Sequence, residues 1–333
     1  VCLASCAAVG PDYEQPEAPV PDTWGTAQNA GLLATDYELV EWWEVFDDPT
    51  LNRLVEIAHA QNYNLKLAGL AVLEARAQLG IAVGAQYPQQ QFISGDVTRI
   101  GPSENAGQGD TSFSQYDLSA SLAWEMDFWG KFRRGIESAD AALQASVANY
   151  DDAMVLITAQ VVSTYVTIRT LEEQLRIAHE NLKLQQRSYD IATVLYKNGQ
   201  DSELDVQQAL SLLLNTQAAV PSLEAQVNLS RNAMDTLLGQ ANGYTETLIS
   251  EGPIPDVPKQ IAVGIPADLL RRRPDLRQAE LVAVAQNAQV GVATADLYPS
   301  IALNGSLGVF SVSRDVGGGG GSNLFESDSI GYA

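Results

Sequence analysis

Between Ile157 and Tyr196, apolar or small side chains recur in alternating steps of four and three: Ile157, Val161, Thr164, Ile168, Leu171, Leu175, Ala178, Leu182, Gln185, Tyr189, Ala192 and Tyr196. A second series of the same kind runs Val206, Ala209, Leu213, Thr216, Val220, Leu223, Val227, Ser230, Met234, Leu237 and Ala241. Spacing of this kind keeps one stripe on one side of a helix and predicts coiled-coil packing. Between the series, Lys197-Asn198-Gly199-Gln200-Asp201 breaks the pattern. Gly199 suits a left-handed helix cap, and Asp201 or Ser202 suits the N-cap of the next helix. The two series are therefore read as the arms of one long hairpin. If the first arm starts near Gly130, it spans roughly 100 Å at about 1.5 Å per residue. Pro221 falls inside the second arm, where it removes a backbone donor and favours a bend. Globular enzymes rarely need so long a rod, whereas a conduit does.

The second constraint is an internal repeat. Ala77 to Pro88 (AQLGIAVGAQYP) and Ala288 to Pro299 (AQVGVATADLYP) agree at six of twelve positions across an offset of 211 residues. That offset is far longer than a solenoid period and indicates a duplicated, domain-sized unit. Each copy reads as a helix running into Tyr-Pro and then a strand. From Gln115 to Phe128 the alternation is unbroken. Tyr116, Leu118, Ala120, Leu122, Trp124, Met126 and Phe128 face one way. Gln115, Asp117, Ser119, Ser121, Ala123, Glu125 and Asp127 face the other. In the second copy, Ile301, Leu303, Leu307 and Val309 oppose Ser300, Asn304 and Ser306. In the first copy a weaker strand is expected directly after Tyr-Pro, over Gln91 to Thr98, with Ile93 and Val97 opposite Ser94, Asp96 and Thr98. Strands of about ten residues with one apolar face fit a transmembrane barrel, although a soluble sandwich shares the same period. Loops are expected from Gly101 to Ser114 and from Ser313 to Asn323, the latter holding the glycine run 317–321. No apolar run approaches the roughly 18–20 residues of a spanning helix, so any crossing of a bilayer is assigned to strands. Two strands and one hairpin per copy give four strands in a complete chain. Four cannot close a barrel, and open edges cannot sit in lipid, so the pore must come from several chains. By the same repeat, a further strand and a second hairpin are expected beyond Tyr332, so the sequence is expected to lack a C-terminal quarter or so.

Charge narrows the partners. Acidic residues number 41 against 19 basic ones, a formal net charge of −22. That balance disfavours nucleic acid, whose phosphates need clustered cations. The cluster Arg271, Arg272, Arg273 and Arg277 has no aromatic platform beside it and is read as a salt-bridging helix start with Asp275 and Glu280. His59 and His179 stand alone, so no metal site is expected. No nucleophile–base set or spaced carboxylate pair appears, so no catalytic residues and no cofactor are expected. Cys2 and Cys6, at the extreme N-terminus, are neither a disulfide framework nor a metal site. Leu3-Ala4-Ser5-Cys6 resembles a bacterial lipobox, in which the cysteine thiol takes the lipid. Residues 1–5 are then the end of a signal peptide, and Cys6 is the expected lipid attachment site, palmitate included. Residues 6–35, with Pro11, Pro16, Pro19 and Pro21, form the anchor and tether. Residues 36–265 form the first copy of the repeat, and 266–333 the start of the second.

The segment Leu269-Leu270-Arg271-Arg272-Arg273-Pro274-Asp275-Leu276-Arg277-Gln278-Ala279-Glu280 is more specific. With Ala288 to Ala293 and Tyr298-Pro299-Ser300, it closely resembles the outer membrane efflux protein family of TolC-like channels, most of all its NodT/OprM-type lipoprotein branch. Gly10-Pro11-Asp12-Tyr13, Trp42-Trp43, Phe46-Asp48-Pro49-Leu51 taken with gaps, Trp124 to Gly130, Asn232-Ala233 and Leu237-Leu238-Gly239 add to the resemblance. It covers residues 6 to about 310. The resemblance implies a mainly α-helical chain with transmembrane β strands, assembling as a homotrimer with a twelve-stranded outer-membrane barrel and a periplasmic helical tunnel. It implies a passive exit duct for drugs or other small solutes. The implied partners are a periplasmic membrane-fusion adaptor, an inner-membrane RND-type pump and outer-membrane lipid. The adaptor would dock on the hairpin tip: Lys197, Asn198, Gly199, Gln200, Asp201, Ser202, Glu203 and Asp205. The lipid-facing side chains would be Tyr116, Leu118, Leu122, Trp124, Met126 and Phe128. The duct of a type I protein secretion system, which shares this fold, and a coiled-coil envelope lipoprotein without a pore remain as alternatives.

Overall fold

The computed structural model describes residues 8–16, 32–33, 41–101, 113–250, 252–256, 261–262, 270 and 272–314. Cys6, Arg271, the glycine run 317–321 and most of the loop after Gly101 lie outside the described residues. The described elements are β1 (Leu32–Leu33), α1 (Pro49–Gln61), α2 (Tyr63–Gly84), β2 (Gln90–Ile100), β3 (Phe113–Glu125), α3 (Lys131–Lys197), α4 (Glu203–Leu237), α5 (Tyr244–Leu248), β4 (Ile261–Ala262), α6 (Pro274–Ala295) and β5 (Ala302–Arg314). They fall into two compact units. The first takes residues 1–16, 73–144 and 280–333, and the second takes 17–72 and 145–279.

Unit 1 holds an antiparallel sheet ordered β2-β3-β5. Register places Phe92 opposite Ser121, and Ser121 opposite Ser306, while Ile93 faces Ala120 and Ala120 faces Leu307. Strand β3 ends at Glu125, three residues short of the expected Phe128. Met126 still donates its N–H to the Ile301 carbonyl at 2.9 Å. Beyond it the Asp127 carboxylate turns back to accept from the Phe132 and Arg133 amides at 3.1 and 3.0 Å. Gly130, at φ +78°, completes the turn into α3. A carboxylate on unpaired amides at a helix start is more favourable than one more strand residue, which is why the alternation outruns the strand.

Unit 2 contains the main apolar core. Leu51, Leu54, Val55 and Ala58 of α1 pack with Leu65 of α2, Ile157, Val161, Tyr165 and Ile168 of α3, Met234 of α4, Leu238 and Ile249. Asp48 caps α1 by accepting from the Thr50 and Leu51 amides at 2.8 and 3.2 Å. Asn62 starts α2 in the same way and donates Nδ2–H to the Leu237 carbonyl at 2.8 Å. Strands β1 and β4 pair in parallel through Leu32–Ile261 and Leu33–Ala262. The buried residues Val206, Leu213, Val220, Val227 and Met234 of α4 follow one another at seven-residue spacing, as the heptad series predicts. The series ends earlier than read, since α4 stops at Leu237 and Ala241 is exposed. On α3 it is Leu195, not Tyr196, that is half-buried at the end. Helix α4 runs through Pro221 without a break.

Among the described residues, α2 and α3 are long and apolar enough to cross a membrane by length and composition alone. The sequence reading did not anticipate this. In α2 the apolar content reflects an exposed side bearing Leu67, Leu70, Leu73 and Ile81.

Candidate functional site

Two regions carry the expected functional residues. In the sheet of unit 1, strand pleating separates two faces along all three strands. One carries Ile93 and Val97 from β2, Tyr116, Leu118, Leu122 and Trp124 from β3, and Leu303, Leu307 and Val309 from β5. Among the described residues nothing covers this face, with Ile93 84% and Leu307 77% exposed. The other carries Ser94, Asp96, Thr98, Gln115, Asp117, Ser119, Ser121 and Glu125, with Asn304 and Ser306. Ser94 and Ser119 share a hydroxyl hydrogen bond of 2.8 Å across the strands. Asp96 stands directly opposite Asp117. Like charges at paired positions repel unless water screens them, so this face fits a wet surface. The structure groups Tyr116, Leu118, Leu122 and Trp124 as expected. Met126 and Phe128 lie beyond the last strand residue, so their place on that face is not fixed by pairing. Sequence alternation also missed Phe92 and Phe310, which sit on the polar face in register with Ser121 and Asp117.

The second region is the tip between α3 and α4 in unit 2. Gly199 adopts φ +70°. Its N–H donates to the Tyr196 carbonyl at 2.9 Å, and the Gln200 N–H to the Leu195 carbonyl at 3.0 Å. These two bonds form a Schellman cap that satisfies carbonyls the helix end would leave open. Ser202, rather than Asp201, is the N-cap of α4. The Asp205 N–H donates to Ser202 Oγ at 3.3 Å, and the Ser202 N–H to the Asp205 carboxylate at 3.4 Å. The Ser202 hydroxyl also donates to that carboxylate, and this bond lowers the Asp205 pKa below its ordinary value. Gln200, Ser202, Glu203 and Leu204 are exposed. The capping groups are thus committed to the turn, and the outward surface is left to their neighbours.

Two polar centres carry no signature in the sequence. In unit 2, Tyr165 Oη–H donates to the Asp48 carboxylate at 2.5 Å and accepts from Arg169 Nε and Nη2 at 3.1 and 2.9 Å. Burial, reinforced by the hydrogen bond to Asp48, pushes the Tyr165 phenol up to about 12. Arg169 also pairs with Glu172 at 3.1 Å, and Glu172 with Arg231 at 2.7 Å. In unit 1, the buried Arg134 donates to the Val9 and Gly10 carbonyls, to the Asp12 carboxylate and to Glu137 of its own helix. Among the described residues, no group of three or more His, Cys, Asp or Glu side chains is placed to hold a metal ion.

The family described as outer membrane efflux protein matches residues 54–240 and 265–332. Nodulation protein T of Rhizobium leguminosarum bv. viciae is 36% identical over 316 residues, covering 92% of this chain and 62% of that protein. The probable outer membrane lipoprotein SilC of Salmonella typhimurium is 31% identical over 308 residues, covering 92% of this chain and 65% of its own length. The chain therefore spans less than two thirds of the length of these curated relatives. Among solved structures, the outer-membrane channel OprN superposes with a TM-score of 0.83 at 33% identity, over 98% of this chain and 71% of that one. Matches of this extent, on a chain with this sheet and this hairpin, establish that it belongs to the outer membrane efflux protein family.

Proposed function

We propose that the chain is a subunit of an outer-membrane exit duct, through which drugs or other small solutes leave the cell passively as part of a tripartite efflux assembly. The observation that carries this reading is the sheet of unit 1. Among the described residues its apolar face is uncovered, its polar face bears opposed carboxylates, and both its outer strands keep open edges. An open edge cannot persist in lipid, so β2 and β5 must be paired by further strands. Three full-length copies, each with the four strands that the repeat predicts, would supply them, in keeping with the homotrimer that the family resemblance implies. The apolar face then meets outer-membrane lipid, and the polar face lines the passage. The repeat orders the chain as tether (6–35), first copy (36–265) and start of the second copy (266–333). A lipid on Cys6 would add a second attachment to the membrane, and SilC's description as a lipoprotein agrees with this.

The helical tip is the proposed docking end for a periplasmic adaptor, which would connect the duct to an inner-membrane RND-type pump. Its exposed residues Gln200, Ser202 and Glu203 stand on a turn fixed by two caps, a defined surface for a partner.

Single-channel recording of the full-length protein in planar bilayers tests the duct: discrete conductance steps are expected, and their absence from correctly assembled protein would refute it. Cysteine crosslinking tests the tip. Positions 200 and 202 are expected to crosslink to the adaptor while Gln226, in the middle of α4, does not. Equal crosslinking at all three would remove the tip as the docking surface.

A further inference from the structure

Over three consecutive cross-strand rows of the polar face in unit 1, the polar side chains are bonded to one another. Ser94 and Ser119 share their hydroxyl bond, Thr98 Oγ1–H donates to the Asp96 carboxylate at 2.7 Å, and Gln115 Nε2–H donates to the Asp117 carboxylate at 3.0 Å. The two rows nearer the helices differ. One runs Phe92–Ser121–Ser306 and the next Gln90–Ala123–Asn304. Among the described residues, the side chains of Gln90, Ser121, Asn304 and Ser306 have no hydrogen-bond partner. Neither row holds a charged side chain, and Glu125, the nearest carboxylate along β3, stands one pair further toward the helices.

These rows enclose a shallow recess of about 330 Å³. Phe92, 60% exposed, supplies its one aromatic surface. Two strand separations by one two-residue step make its floor roughly 10 by 7 Å. The recess lies at the helix end of the sheet. There β2 begins at Gln90 after α2, β3 ends at Glu125 before α3, and β5 begins at Ala302 after α6. Phe310, the other ring missed by the alternation, stands instead in the row of Asp96 and Asp117.

A bare ring offers its face to another flat, weakly polar surface. The Gln90 and Asn304 carboxamides each present a donor and an acceptor side by side, and the two serine hydroxyls can do either. A purely apolar solute would strip water from four polar groups and return no hydrogen bond. A solute held by its charge would find no counter-charge in the two rows. The matching shape has C–H groups on one face and hydroxyls around its rim, and a pyranose ring has both. We propose that the recess is a contact site for neutral carbohydrate-like solutes, which stack on Phe92 and hydrogen-bond to Gln90, Ser121, Asn304 and Ser306. The proposal rests on the reading that the polar face lines a duct. It gives that duct a preferred class of solute at the point where its strands begin.

Saturation-transfer NMR on the full-length protein in detergent, with maltotriose as the probe, reads binding without any need for conductance. Transfer to the pyranose protons is expected in wild type. The apparent affinity should fall about tenfold in Phe92→Ala, recover in Phe92→Trp, and stay unchanged in Phe310→Ala. Asn304→Ala leaves the ring in place, should weaken binding about threefold, and decides the matter if Phe92→Ala fails to assemble. No transfer in wild type, or wild-type affinity in both alanine variants of the recess, overturns the site. Transfer to benzyltrimethylammonium that depends on Phe92, with none to maltotriose, overturns the solute class. In planar bilayers, maltotriose should interrupt the wild-type current for times about tenfold longer than in Phe92→Ala. A conducting protein that binds maltotriose without interruption overturns the placing of the recess in the passage. A protein that binds maltotriose and never conducts sinks the duct and leaves the recess standing.

Discussion

Helices α2 and α6 carry the same repeat, and unit 1 treats them differently. Ala288, Gly291 and Ala295 of α6 are covered, with Ala288 fully buried and Gly291 filled by the Arg134 side chain. Their counterparts across the repeat, Ala77, Gly80 and Gly84 of α2, are exposed, and a Cβ at Gly80 or Gly84 would meet nothing within 4 Å. Near-identical stripes are therefore a packing surface in one copy and a bare one in the other. Small residues give a helix the capacity for close approach; what approaches is decided by distant chain, here residues 8–12 and the start of α3.

The largest effect expected from probing covered against bare surfaces is in the sheet. Leu122→Arg places a charge on the uncovered apolar face and should cost about 2–4 kcal/mol if that face meets lipid near the bilayer midplane. Ser121→Arg, one residue away on the polar face, should assemble nearly as wild type and change conductance instead. Equal assembly of the two would show that the bare face is not a membrane face.

The repeat pair itself comes next. Gly291→Val should destabilise by about 1–3 kcal/mol through overpacking against Arg134, read as a lower thermal midpoint. Gly80→Val should stay within about 0.5 kcal/mol, because nothing stands where the new side chain goes. Similar losses at both positions would mean that the bare stripe of α2 is covered in the assembled protein.

The two histidines give the smallest contrast. His59 packs edge-on against Trp43 at 5.7 Å and shares a 2.8 Å bond with Thr158 Oγ1. The Thr158 hydroxyl gives its own proton to the Met154 carbonyl, so His59 is the donor and Nε2 carries the proton. Burial lowers the His59 pKa from its ordinary 6.5. The unfolded chain then binds the proton more readily, so stability is complete above about pH 6.5 and falls as pH drops toward the lowered folded value. His59→Gln should flatten unfolding midpoints between pH 7.5 and 5. His179→Gln, at an exposed position of α3, should leave the unfolding midpoint at pH 7.5 within error of wild type.

Much of this fold was legible because its signals are periodic. The heptad series located α3, the tip and α4, and alternation located β3 and β5 to within a few residues. The strand end was misplaced because Met126 and Phe128 continue the alternation, while the decisive event, Asp127 capping α3, is an interaction with backbone amides. Arg134 left no trace for a related reason. Two of its acceptors are the carbonyls of Val9 and Gly10, which have no residue identity to read, and they lie 125 and 124 positions away. Gly291 was visible as a match to Gly80, but no property of either helix says which of them is covered. Of the two candidate regions, the tip had its turn geometry most nearly legible, since both of its caps are local.

Pro221 sets the two arms of the hairpin apart mechanically. Helix α3 is an uninterrupted ladder of 67 residues with no proline, while the 35-residue α4 lacks the rung that residue 221 would donate to the carbonyl of Gln217. A ladder missing one rung is more compliant at that point than its neighbour. Force applied at the Ser202 end would be borne by α3 as a strut and relieved in α4 as at a joint. The buried seam at Val220 and Val227 lies against that joint, so a small rotation there would displace the tip while Met234 and the core around it stay in register.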